Sequence, residues 1–446
     1  MTAVTLPDAD QAGHLPDGPS APPAVQGLLE IAAPRAWMRR LRARYGDAFT
    51  MHIPVFGRIV VISDPAQAKQ LFTADQEVVD NSDMNLGRLL GPDSFFALSG
   101  DAHKRQRKLL SPPFHGRRLR AYEAIIEEET RREMAAWPEG AEFATLPSMM
   151  MITLNAILRA VFGAAGDDLA ELRDLLPKLV ANGSRLARLP VPRRGIGWWN
   201  PWELAEAYRA QYEAIVDRLI AQARQDPALD SRDDVLALML QARYEDGTEV
   251  TRGEIGDQLL SLLTAGHETT ATTLAWAIER LRRHPDILAR LTAECGTGHN
   301  ALREAVIFEV QRTRPVVDRV IRQVRVPVMR LGPWTLLRGQ HVRVSIYLVH
   351  RDPDLFPDPE RFDPDRFLHA RPGTYEWIPF GGGARRCIGA AFAHMEMDVV
   401  LRTLLREFTL EPTARRGERW HSRGVASCPA AGARAVVRRR AAATRV

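Results

Sequence analysis

Cys387 is the residue of this 446-residue chain best suited to chemistry, and it lies in FGGGARRCIG, residues 380 to 389. A cysteine attacks or binds metal through its thiolate. A thiolate set against a bulky iron-bearing ligand needs backbone that can approach closely, and glycines at 381, 382, 383 and 389 remove the obstructing Cβ atoms. The following segment, AAFAHMEMDVVLRTLL, has helical apolar spacing and puts the sulfur just before a helix N-terminus. Unpaired N–H groups and the positive dipole end there favour a thiolate and tune the potential of a bound iron. Alone, the glycine run would suit a turn around an ordinary cysteine. Zinc does not fit, since no second cysteine or paired histidine stands at metal-site spacing.

A second group, LTAGHETTATT (Leu263 to Thr273), interrupts a strongly apolar helical stretch. Gly266, Glu268, Thr269 and Thr270 are poor choices for a buried helix, and a buried carboxylate demands a partner. Such local misfits often mark function. The Thr269 hydroxyl can bond the Ala265 carbonyl one turn back and open room for a small ligand and water. Glu268 beside it would complete an acid–alcohol proton relay. His267 is read as hydrogen-bonded or pocket-facing, not as a second iron ligand. Glu309 and Arg312 share a helix face; as a lone pair they would form a surface ion pair worth little. PERFDPDRF (Pro359 to Phe367) adds two further arginines, Arg361 and Arg366. His103 and Arg107 also share a helix face and suit carboxylate groups, unless HKRQRK is merely a basic solvated helix.

Together these motifs resemble the cytochrome P450 monooxygenases. Phe380, Gly383, Arg385, Cys387 and Gly389 are similar to the family's haem-ligand loop. Ala265, Gly266, His267, Glu268 and Thr269 are similar to its oxygen-activation motif. Glu309, Arg312 and Arg366 are similar to its E-x-x-R helix and P-x-R-F segment, with Arg361 competing for the last place. The texture of ISDPAQAK, LSPPFHG, TLPSMM and MEMDVVLRTLLREF resembles soluble actinobacterial, especially mycobacterial, members. The resemblance implies a mainly α fold with a small β region: a triangular helical body with haem b between a long distal helix and the proximal cysteine loop. It implies Cys387 as the axial ligand of the haem iron. His103, Arg107 and Arg385 would hold haem propionates, as would Arg322, for which Arg319 competes. Phe380, Ala265 and Gly389 would also contact haem, and Glu268 and Thr269 would be catalytic. Glu309, Arg312 and Arg366 would fix the cysteine loop.

The implied reaction inserts one atom of O2 into an unactivated C–H bond of a lipophilic substrate such as a fatty acid, terpene or steroid. No flavin domain is expected on the chain, and electrons are expected from a separate ferredoxin or flavodoxin and its reductase. A basic proximal face including Lys104, Arg105 and Arg386 would attract such an acidic partner. Two other classes stand beside this reading. Glu268 and Thr269 speak against a haem sensor or carrier without turnover. A requirement for reductant and O2 would exclude a haem-thiolate isomerase or peroxygenase.

The elements that must position these groups are mostly helical. Apolar residues recur at three-to-four spacing over 34–45, 116–136, 148–163, 168–182, 203–226, 232–243, 252–283, 301–313 and 389–408. Short β-like runs stand at Thr50 to Ile53, Ile59 to Ile62 and Val342 to Ser345. Residues 1–24 read as a disordered arm, and 25–446 as one haem-thiolate monooxygenase domain. The loop Leu189 to Trp202 suits a lid, a membrane-dipping patch or simple packing onto the body. Arg438, Arg439 and Arg440 read as a solvated tail. No signal peptide or transmembrane anchor is evident, and three scattered cysteines fit a reducing compartment. A cytoplasmic, soluble monomer is expected. The formal charge of +5 is modest for this size and carried almost wholly by arginine, so no nucleic-acid partner is expected.

Overall fold

Ile59, Val60, Val61 and Ile62 are all buried, an apolar run without alternation, because the sheet they belong to is covered on both faces. In the computed structural model, which describes residues 13–54, 56–82, 86–114, 116–163, 166–186 and 200–440, the chain divides into two compact units. Residues up to 83, 317–362 and 370–387 form the first; 84–316, 363–369 and 388 onward form the second.

The first unit is built on a five-stranded sheet of β1 (Ala48–Ile53), β2 (Gly57–Ile62), β3 (Val79–Asn81), β4 (Val320–Val324) and β5 (His341–Val344), in the order β1-β2-β5-β4-β3. β2 and β5 run parallel, with Ile59 opposite His341; the other pairs are antiparallel. Val60 and Ile62 join a core with Leu71, Phe72, Val342 and Ile378. Val61 points the other way, to Met38, Leu41, Phe49 and Met51. Helix α1 (Pro23–Ala32) is tied to this unit by Glu30, which accepts from Arg319 at 2.5 Å and Arg343 at 2.6 Å.

The arm expected to be disordered through residue 24 is ordered from residue 13. His14 and Thr335 exchange backbone hydrogen bonds, the Thr50 hydroxyl donates to the Pro16 carbonyl at 2.6 Å, and the Gln26 amide donates to the carbonyls of Pro19 and Ala21. A polar, proline-rich segment thus gains through backbone partners what it lacks in apolar burial. Residues 1–12 lie outside the described residues.

The second unit is helical. Its main elements are α2 (Gly100–Leu110), α3 (Leu146–Phe162), α4 (Asp167–Leu186), α5 (Arg252–Gly266), α6 (Glu268–Leu281), α7 (Ala301–Thr313) and α8 (Ala390–Glu407). α3 packs against α5 and α6; α8 packs against α6, α7 and Gly116–Met134. The single helix predicted over 252–283 is two, broken at His267. There the Thr269 hydroxyl donates to the Ala265 carbonyl at 2.9 Å, and Thr153 of α3 donates to the His267 carbonyl at 2.9 Å. Hydroxyls competing for the ladder account for the break. Thr251 and Glu254 form a reciprocal cap that starts α5.

A hairpin of β6 (Trp420–Arg423) and β7 (Ala426–Pro429) lies on α6, held by Trp276, whose indole donates to the Ser427 carbonyl at 2.9 Å. The basic run read as a solvated tail is largely strand. Val437–Arg439 pairs with Phe408–Leu410, Arg438 meets Glu411 at 2.7 Å, and Arg439 meets Glu139 at 3.3 Å. Backbone pairing and these carboxylates order charges that composition alone leaves to solvent. Of the Leu189–Trp202 loop, residues 189–199 lie outside the described residues. Trp202 is buried, and the Asn200 side chain caps its helix. No helix of the described residues is long and apolar enough to cross a membrane.

Candidate haem site

In the first unit the cysteine loop is closed by one backbone bond, from the Cys387 N–H to the Phe380 carbonyl at 3.0 Å, over a short 3-10 turn at Gly383–Arg385. Gly383 sits at φ +65°, and a Cβ there would stand 1.7 Å from the Phe72 carbonyl oxygen. At Gly382 it would meet the Phe72 ring at 2.6 Å. These two glycines are therefore required by contact with Phe72, not only by approach to a ligand. Gly389, expected for approach to a ligand, would bring its Cβ within 4 Å of no protein atom. Cys387 is exposed, whereas Cys295 and Cys428 are buried and burial pushes both their thiols up.

Arg385 forms a two-pronged pair with Asp80, both bonds 2.9 Å, and Asp80 is 1% exposed. Arg322 donates to the Asn81 side-chain oxygen at 2.9 Å. Burial, with Arg385 nearby, pulls its pKa down to about 10, and Asp80 only partly offsets this. Arg319, the competing candidate, is committed to Glu30 and Asp318. Two guanidinium groups, those of Arg322 and Arg385, thus lie close to Asp80. Guanidinium groups are suited to a propionate, and an exposed thiol on the same unit is suited to iron. On this donor chemistry, the unit's residues fit haem.

In the second unit, Ala265 is exposed and Thr269 half-buried beside the break between α5 and α6. A Cβ on Gly266 would come within 3.1 Å of Ile157, so glycine permits the close approach of α3. Burial raises the pKa of Glu268, and Arg423, 3.1 Å away, opposes the rise. His267 is buried, with Nδ1 at 2.9 Å from the Leu263 carbonyl, and burial lowers its pKa. Its imidazole is neutral and committed to its own helix. On α2, His103 is fully buried and its ring lies 4.4 Å from that of Phe95; the Arg107 guanidinium stands 5.9 Å from the same ring.

The carboxylate of Glu309 accepts from Arg312 at 2.7 and 2.8 Å and from the Asp363 N–H at 2.8 Å, with Arg366 at 3.4 Å. Both Glu309 and Arg312 have fully buried side chains, so this is not the solvated surface pair that spacing alone suggests. Arg361 is exposed. The network therefore takes Arg366, and it fastens residues 363–369 within the helical unit while the chain on either side belongs to the other.

Sequence reasoning missed Asp80 and Arg423, whose partners lie 305 and 155 residues away. It also missed Glu396, whose signal was available: four residues from both Phe392 and Val400, it falls on the buried face of α8. Glu396 is 0% exposed, and burial pushes its carboxyl well above the ordinary range, the Thr270 hydroxyl pulling the other way. Below the ordinary carboxyl range both folded and unfolded states are protonated. Above it the unfolded chain ionises first, and stability falls by up to about 1.4 kcal/mol per pH unit. A Glu396→Gln protein is thus expected to match the parent near pH 4 and to exceed it at pH 8 in urea unfolding. Parallel stabilities at both pH values would show that Glu396 ionises normally.

Residues 16–426 match the Cytochrome P450 family. A protein of Mycobacterium tuberculosis provisionally named cytochrome P450 138 is 54% identical over 437 residues, covering 98% of this chain and 99% of that protein. Another, provisionally named cytochrome P450 135B1, is 39% identical over 433 residues, covering 95% and 91%. Retinoic acid-bound cyanobacterial CYP120A1 shares the fold, with a TM-score of 0.83 at 24% identity over 96% of this chain and 100% of that one. The chain belongs to the cytochrome P450 family and is a haem b-dependent monooxygenase.

Proposed function

We propose that this enzyme oxygenates a lipophilic substrate of the fatty acid, terpene or steroid class, with Cys387 as axial ligand and Glu268 and Thr269 as the route for protons. Bound haem supplies the iron at which dioxygen is reduced and split. The chain's residues do the rest. Arg322 and Arg385, with His103 and Arg107, would receive the propionates, and Phe380, Ala265 and Gly389 would contact the haem. The Thr269 hydroxyl, turned onto Ala265, leaves the helix open at the point where protons are needed. Glu268, whose pKa burial holds up, exchanges its proton more readily near neutrality than an ordinary carboxylate. The break in the helix at His267, with Glu268 and Thr269 immediately after it, carries this reading.

Substrate oxidation should require both reductant and O2. Thr269→Ala, in holoenzyme with an unchanged reduced carbon monoxide spectrum, should divert most of the reducing equivalents from product to peroxide, a change on the order of tenfold or more in coupling. Unaltered coupling would remove Thr269 from proton delivery.

Electrons come from a separate ferredoxin or flavodoxin and its reductase. Lys104, Arg105 and Arg386 are exposed; Lys104 is 3.1 Å from Asp101, and Arg105 lies over the Tyr244 ring at 4.2 Å. Reversing these charges should slow reduction by an acidic carrier severalfold and flatten its salt dependence. Equal rates across the salt range would place the carrier elsewhere.

A further inference from the structure

We infer that Arg423, at the tip of the β6–β7 hairpin, is a positioning residue that holds Glu268 in place and forms the solvent end of its proton route. The inference rests on the proposed role of Glu268. Arg423 Nε donates to Glu268 Oε1 at 3.1 Å, across 155 residues of sequence. The Glu268 side chain is 12% exposed and that of Arg423 43%, so the guanidinium stands between a shielded carboxylate and water.

The hairpin holds Arg423 firmly. Arg423 pairs with Ala426, leaving Gly424 and Val425 as a two-residue turn. Gly424 has φ +77°, and a Cβ there would lie 2.5 Å from the Cβ of Ser184, so the turn is seated on the C-terminal end of α4. On the other strand the Ser427 N–H donates to the Val316 carbonyl at 2.9 Å, and the Ser427 carbonyl accepts from Trp276 of α6. Arg423 is thereby fixed against the helix that carries Glu268.

Its neighbours leave the guanidinium as the ionised group beside Glu268. His267 is neutral and bonded to Leu263, and burial keeps the Cys428 thiol protonated while its Sγ lies 3.4 Å from the His421 carbonyl. Burial favours the protonated form of Glu268, and the charge and hydrogen bond of Arg423 favour the ionised one. A relay must both take up and release its proton, and Arg423 keeps both forms of Glu268 within reach. Without it, the carboxyl remains protonated and free to turn away from Thr269.

The experiment compares ferric holoenzyme of the parent, Arg423→Ala, Arg423→Lys and Glu268→Gln. Infrared titration of the protonated carboxyl band, assigned by its loss in Glu268→Gln, reads Glu268 without turnover. Arg423→Ala should raise its midpoint by about one pH unit or more, and Arg423→Lys should return most of that shift. Product formed per reducing equivalent should fall severalfold in Arg423→Ala and recover in Arg423→Lys. If Arg423→Ala fails to fold, Arg423→Gln, which removes the charge but keeps length, replaces it. An unmoved Glu268 midpoint in the charge-removing variant overturns the inference about Arg423. Full coupling in Glu268→Gln instead overturns the proton-relay reading, whatever the infrared titration shows of Arg423.

Discussion

Cys387→Ala is expected to lose the strongly red-shifted Soret band of the reduced, carbon monoxide-treated protein and, with it, all monooxygenase turnover. In the proposed role the Cys387 thiolate would hold the haem iron and supply the electron density that favours O–O cleavage, and the other cysteines of the sequence are Cys295 and Cys428. Cys295 and Cys428 are both buried with raised thiol pKa values, so neither is available as a replacement ligand. The loop itself should survive. Its closing bond runs from the main-chain N–H of residue 387 to the Phe380 carbonyl, and Gly382 and Gly383 still seat it on Phe72. Loss of the band with little change in unfolding of the haem-free protein would therefore report the ligand, not the loop. Persistence of the band in Cys387→Ala would sink the assignment.

Arg312→Ala should be nearly as severe by a different route. Removing the guanidinium leaves the Glu309 carboxylate 0% exposed, with the Asp363 N–H and the more distant Arg366 as its remaining partners. Breaking a buried pair in this way costs about 3–5 kcal/mol, a large share of the roughly 5–15 kcal/mol that holds a typical protein folded. Residues 363–369 would loosen, and with them the lead into the segment that ends at Cys387. Haem content per protein should drop along with the denaturant midpoint. Arg312→Lys should rescue only in part, because an ammonium cannot reproduce the two-pronged contact at 2.7 and 2.8 Å. The sign with pH is fixed. Burial already raises the pKa of Glu309 against the pull of Arg312. Without Arg312 it rises further, so the variant's deficit is smallest in acid, where Glu309 is protonated, and grows as pH increases. Full haem content and an unchanged midpoint would contradict a structural role for the pair.

Contacts within one or two helical turns were legible in the sequence. The i, i+3 pair Glu309–Arg312 and the i, i+4 bond from Thr269 to Ala265 both occur where spacing puts them, because helix geometry fixes those distances whatever the rest of the chain does. The helical segments and the position of Cys387 just ahead of α8 follow from the same local rules. What spacing could not supply was the partner. Arg361 and Arg366 fit one short pattern equally well, as did Arg319 and Arg322 another. The proximity of Arg366 to buried Glu309 separates the first two, while Arg319 is paired with Glu30 and Arg322 with Asn81.

The motif residues, the helical periodicity and the thiolate chemistry were thus determined by sequence alone. Tertiary structure decided which charges meet: Asp80 under Arg385 across 305 residues, Arg423 on Glu268 across 155, and the backbone partners that order residues 13–24 and 437–439. The reason is physical. Local contacts are set by the repeat of the backbone. A charge pair far apart in sequence is set by the path of the chain, and its worth by how little water is left around it.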